Sequence, residues 1–110
     1  MAVELSFSFA LSIIKYTGGL ERSGKYIVAR QLLRSGTSIG ANIREAQNAE
    51  SKSDFIHKMK IAVKEVDETV YGLTLCSLSE GFPECGTLIA VCEDLVRSLF
   101  KIIGPSKRSQ

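Results

Sequence analysis

The stretch Arg34-Ser35-Gly36-Thr37-Ser38-Ile39-Gly40-Ala41-Asn42-Ile43-Arg44-Glu45-Ala46 decides the fold class. Its apolar residues recur at helical spacing, yet it also carries two glycines, two serines, a threonine and an asparagine. A glycine costs about 1 kcal/mol relative to alanine in a helix interior. A helix that keeps both Gly36 and Gly40 is pressed closely against a neighbour, or bent, at that point. The stretch speaks of packing, not of a reaction.

Around it, Val28, Leu32, Ser35, Ile39, Asn42 and Ala46 step by four and three residues, the rhythm of a bundle seam. This predicts a helix over about 24–49, with Ser23 as a plausible N-cap. Downstream, Phe55, Met59, Ala62, Val66, Thr69, Leu73 and Cys76 keep the same rhythm over about 52–80. Ser51 and Asp54 resemble a capping box at its start. Gly81 suits a left-handed C-terminal position, and Pro83 blocks continuation. Few residues separate the two helices, so they form an antiparallel hairpin.

A further helix is predicted over about 84–103. One stripe is Leu88, Val91, Leu95, Leu99 and Ile102; another is Ile89, Cys92, Val96, Phe100 and Ile103. Near the start, Val3, Leu5, Phe7, Phe9, Leu11 and Ile13 alternate like a strand. No other segment offers a partner strand, and a lone strand leaves its backbone unpaired. The helical alternative, about 3–17, places Leu5, Phe9, Ile13 and Tyr16 on one face and Phe7, Leu11 and Ile14 on another. Gly18-Gly19 then makes the turn. The reading is a single all-α domain, an antiparallel up-and-down four-helix bundle, with a disordered tail over about 104–110. Surplus apolar stripes on the first and last helices mark an interface, with self-association the expected outlet.

Composition agrees. A chain of 110 residues buries a little under about 70% of its unfolded surface. It is 45% hydrophobic and 24% charged, ordinary values for a globular protein, and its net charge is only +2. The uncharged run Leu5–Ile14 is about half what a bilayer requires. It lacks a basic leader and a cleavage site, so no membrane association and a cytoplasmic location are expected. Cys76, Cys85 and Cys92 match neither a disulfide framework nor a zinc motif and read as reduced, buried thiols.

The run Arg30 to Ala46, with Ser51-Lys52-Ser53-Asp54-Phe55-Ile56-His57-Lys58 and Ile61-Ala62-Val63-Lys64-Glu65 after it, resembles the signature of the "four helix bundle protein" family. Its members are also called 23S ribosomal RNA intervening-sequence proteins. Phe7, Ala10, Leu11 and Ile14 continue the likeness less sharply. The resemblance implies a bacterial up-and-down bundle that assembles as a ring-shaped homopentamer and has no known catalytic residue. The accessory proteins of diversity-generating retroelements look similar, and the likeness implies nucleic-acid binding through a basic surface of the ring. Those relatives are strongly basic, which this chain is not.

Candidate residues follow. Ser38, Asn42 and Glu45 share one face of the second helix. They are expected to serve structure or assembly, Ser38 and Asn42 by bonding to a neighbouring helix, and Gly40 is grouped with them. Arg30, Arg34, Arg44, Lys52 and Lys58 are the candidate nucleic-acid contacts, with Lys60, Lys64 and the tail pair Lys107-Arg108 adding charge. Against that, Asp54 can pair with Lys58 and Lys64 with Glu68, leaving a merely solvated face. His57 is the only histidine and is expected to be exposed. No Glu-x-x-His pair or phosphate-cradling glycine loop occurs, so no metal, cofactor, small-molecule substrate or enzymatic activity is expected. Two functions remain open: an RNA- or DNA-binding ring, and a scaffold for protein partners.

Overall fold

A computed structural model describes residues 1–104 of the chain. Four helices account for most of it: α1 (Ala2–Arg22), α2 (Tyr26–Ala46), α3 (Lys52–Ser77) and α4 (Gly86–Ile103). Each helix packs on its two neighbours, α1 on α2, α2 on α3, α3 on α4 and α4 on α1, with no diagonal pair. Together with the short connections, this is the up-and-down bundle expected. Its extents are 44 × 24 × 21 Å. The long axis is set by α3, whose 26 residues rise about 39 Å. Among the described residues no helix is long and apolar enough to cross a membrane.

The turn between α1 and α2 is not at Gly18-Gly19. Helix α1 runs through both glycines to Arg22, because one more turn buries Leu20 completely. Ser23 is therefore the C-cap of α1, not the N-cap of α2, and its Oγ donates to the carbonyls of Gly19 and Leu20 at 3.1 Å each. The chain then reverses through a Schellman motif. Lys25 N–H donates to Leu20 O at 2.9 Å, Gly24 N–H donates to Glu21 O at 3.0 Å, and Gly24 takes φ 84°. Glycine is required at that position because side chains disfavour it.

Other boundaries shift less. Helix α2 starts at Tyr26 and stops at Ala46, short of Ala49. Ser51 caps α3 as expected, accepting from Asp54 N–H at 3.0 Å. Asp54 accepts in turn from Glu50 N–H at 3.3 Å, one residue before the position a capping box prescribes. Helix α3 ends at Ser77, three residues before Glu80, and the left-handed Gly81 (φ 82°) lies in the connection that follows. Helix α4 begins at Gly86 and is terminated by Gly104. The remainder of the expected tail, residues 105–110 with Lys107 and Arg108, lies outside the described residues.

The α3 seam is buried from Met59 to Cys76; at its start Ile56 is buried and Phe55 half-buried. On α2, Leu32, Ser35, Ile39 and Ala46 are buried as expected, but Val28 and Asn42 sit at the margin while Ala29, Gly36 and Ile43 go inside. On α4 the buried line is Cys92, Leu95, Leu99 and Ile103, drawn from both predicted stripes, with Ile102 outside. A helix flanked by two neighbours buries an arc wider than one seam.

The two glycines of the opening stretch face α1. A Cβ on Gly36 would stand 2.9 Å from Cγ1 and Cγ2 of the fully buried Ile13, and one on Gly40 3.3 Å from Ser6 Oγ. On the opposite flank of α2, a buried polar contact replaces an apolar one. The hydroxyls of Ser35 and Thr69 are 2.9 Å apart, and Thr69 Oγ1 also lies 2.8 Å from Glu65 O. Among the described residues no buried side-chain nitrogen or oxygen lacks a partner.

Gly36→Ala is expected to lose up to about 2 kcal/mol in urea unfolding, because overpacking against Ile13 costs about 1–3 kcal/mol and the helix-propensity gain of about 1 kcal/mol offsets only part of it. Gly18→Ala, whose Cβ would meet only Arg22 Nη1 at 3.5 Å, should instead gain up to about 1 kcal/mol. Thr69→Val alone should cost about 1–3 kcal/mol, because it removes the donor to the buried Ser35 hydroxyl and leaves it only the long bond to Leu32 O at 3.5 Å. The double variant Ser35→Ala/Thr69→Val should cost clearly less than the sum of the singles; strict additivity in the cycle would disprove the coupling.

Candidate functional site

The five candidate cations do not form one patch. Arg34 reaches across from α2 to α3, with Nη1 3.3 Å from Glu65 Oε1 and Nη2 on the Glu68 carboxylate. Glu68 thus pairs with Arg34, not with Lys64. The guanidinium fork serves two carboxylates at once, whereas Lys64 four residues before Glu68 is the less favourable order of an i, i+4 pair. Lys58 pairs with Asp54 at 3.1 Å, as expected. Arg30, Arg44 and Lys52 are exposed and make no ion pair among the described residues. Arg44 and Lys52 share the hairpin end of the bundle, while Arg30 lies about 21 Å away along α2.

Ser38 and Asn42 do not reach a neighbouring helix. Ser38 Oγ donates to Arg34 O at 2.6 Å and Asn42 Nδ2 to Ser38 O at 2.9 Å, both within α2. Their positions fall at the edge of the buried arc, close enough to the helix's own backbone to be satisfied there. Glu45 is exposed, and so is His57. The cross-helix polar bond belongs to Ser35 and Thr69. Sequence reasoning placed both on buried seams but missed their pairing; two hydroxyl residues on facing seams were the available signal.

Apolar surface is the more prominent feature outside. On α1, Val3, Phe7, Leu11 and Ile14 form a row at successive turns, with Phe7 61% and Leu11 56% exposed. Beside this row a groove of about 540 Å³ runs between α1 and α2, bounded by Phe7, Leu11, Gly40, Ala41 and Arg44. A second groove, of about 580 Å³, lies between α2 and α3, where Val28, Leu32, Tyr71, Leu75 and Phe82 line it and the Arg34–Glu68 pair closes one end. Its floor depends on Gly72, where a Cβ would come within 2.8 Å of Leu32 Cδ2.

The titratable groups inside the bundle gather elsewhere. Tyr16, half-buried on α1, donates from its hydroxyl to Pro83 O at 2.9 Å. Burial, with Cys76 and Cys85 alongside, raises its phenol above the ordinary tyrosine value. Burial likewise raises both of those thiols, and it pushes Cys92 up to about 12. All three cysteines are free and buried, as expected. Among the described residues no three His, Cys, Asp or Glu side chains are grouped to hold a metal ion.

The comparisons with known proteins bear on this geometry. The family model for 23S rRNA-intervening sequence protein matches residues 1–100. A crystal structure from Bacteroides thetaiotaomicron VPI-5482, described as a protein with unknown function from the S23 ribosomal protein family, is 37% identical with a TM-score of 0.90. The match covers 94% of this chain and 98% of that one. No curated protein matches. The bundle, its glycine-bearing second helix and the family match together place the chain in the 23S rRNA-intervening sequence protein family.

Proposed function

We propose that this chain is a non-enzymatic subunit that self-assembles through the outer face of α1 and binds RNA or DNA as an oligomer. The observation that carries the assembly is the exposed row Val3, Phe7, Leu11 and Ile14. Burying a Phe or Leu side chain that is otherwise exposed is worth about 1.5–3 kcal/mol, so a row of such residues favours a contact over solvent. The family resemblance points to a homopentameric ring. Each subunit contributes Arg30, Arg44 and Lys52 as cations unpaired among the described residues, so a ring repeats a weak patch into a band. No cofactor is needed for this function.

The other reading, a scaffold for a protein partner that does not touch nucleic acid, is favoured by the net charge of +2 and by the neutralisation of Arg34 and Lys58. Salt dependence separates the two. A ring that neutralises phosphates should bind structured RNA at low salt and lose affinity steeply toward physiological salt.

Native mass and a gel-shift titration test the proposal. Phe7→Asp/Leu11→Asp should reduce the native assembly to monomers while leaving helix content unchanged, since both positions are exposed; an unaltered mass rules out α1 as the interface. Arg30→Glu with Arg44→Glu should abolish the RNA shift. Glu65→Gln/Glu68→Gln should release Arg34 and steepen the logarithmic salt slope by about 1 if Arg34 then meets a phosphate. Absence of any shift at low salt makes the scaffold reading correct.

A further inference from the structure

The α3–α4 connection brings three reactive side chains from three elements together. Cys76 sits in the last turn of α3, Cys85 is the N-cap of α4, and Tyr16 comes from α1. The Tyr16 hydroxyl donates to Pro83 O at 2.9 Å, and Cys76 and Cys85 lie near enough to help burial raise its phenol. Cys85 Sγ donates to Leu73 O at 3.2 Å, which presses it against the turn of α3 that leads into Cys76. Each cysteine is only 2% exposed. Leu73 and Cys76 lie one turn apart on the buried seam of α3, so this contact sets the Cys85 sulfur beside the turn that carries Cys76, although nine positions separate the two cysteines in sequence.

Cys92 is excluded from this cluster. It lies seven residues beyond Cys85 on α4, about 10 Å along the axis, farther than a disulfide spans. It is instead level with Asp67 and Val70, more than a turn of α3 before Cys76.

We propose that Cys76 and Cys85 are an oxidisable pair that a hydroperoxide closes into an intramolecular disulfide bridging α3 and α4. One thiolate attacks the peroxide oxygen, breaking the O–O bond to give a sulfenic acid and an alcohol or water. The second thiolate attacks the sulfenic sulfur, the S–S bond forms, and the hydroxyl leaves as water. The pair loses two electrons and two protons; the peroxide takes up both. Burial keeps the thiolate scarce, so closure is slow near neutral pH. The bridge encloses the segment that carries Phe82, and Cys76 and Phe82 both line the groove between α2 and α3. The thiol pair thereby joins the redox state of the chain to that groove.

The test uses the full chain, treated with hydrogen peroxide or with diamide and analysed by intact mass and non-reducing peptide mapping. The expected result is the loss of two hydrogens, reversed by dithiothreitol, with Cys76 linked to Cys85. Cys92→Ser should preserve this change, and Cys76→Ser or Cys85→Ser should abolish it. The wild-type peptide map decides the matter if a variant fails to fold. A link through Cys92, an intermolecular link, oxidation of single cysteines without bridging, or no change in the native chain while the urea-unfolded chain oxidises would each overturn the proposal.

Discussion

The contact on which the bundle depends is Ile13 seated against Gly36. A side chain at position 36 would stand too close to two carbons of a fully buried isoleucine, so α1 and α2 reach their spacing only because glycine is there. Gly40, facing Ser6 two turns from the hairpin end, continues the same approach. Once α1 lies this close, its Phe9, Ile13 and Leu20 enter the common core, and the next row on the same helix is left outside. The helix-propensity cost of two glycines is offset by dense packing along one flank of α2. On the other flank the same helix meets α3 through Leu32 over Gly72 and the hydroxyl pair of Ser35 and Thr69.

Surface chemistry follows from that arrangement. Because α2 and α3 pack so closely, Arg34 finds Glu65 and Glu68 within reach and becomes part of the helix–helix contact. Exposed ion pairs of this kind add little stability, generally below about 1 kcal/mol each. Their larger effect is on function, since a guanidinium held by two carboxylates is a poor phosphate ligand. Of the candidate cations left unpaired among the described residues, Arg44 and Lys52 lie at the hairpin end and Arg30 far along α2, so the three form no single patch. The apolar row on α1 and the grooves beside α2 are the more prominent surface features.

Much of the fold was legible in the sequence because a bundle writes itself in one period. The seam of α3 from Met59 to Cys76 was read almost residue by residue, and the Ser51 cap with it. The α1–α2 turn was misplaced because adjacent glycines look like a break, whereas a helix tolerates them when the next turn buries a leucine. The true signal was the single Gly24, positioned to complete a Schellman motif. Asn42 was misread for a related reason: an amide at a seam position satisfies itself on its own backbone when the buried arc is rotated slightly away from it.

By itself the sequence determined the helical class, the number of helices, the hairpin of α2 and α3, and the need for a close neighbour at Gly36 and Gly40, since these rest on local periodicity and on the backbone cost of glycine. Only the tertiary structure decided which neighbour that is, which hydroxyls meet across helices, and which carboxylates take Arg34. It also decided that Tyr16, Cys76 and Cys85 share one site. Those pairings depend on the rotation and spacing of whole helices about their axes, which a repeat of threes and fours leaves open by a fraction of a turn. That fraction is the difference between a side chain that faces a partner and one that faces water.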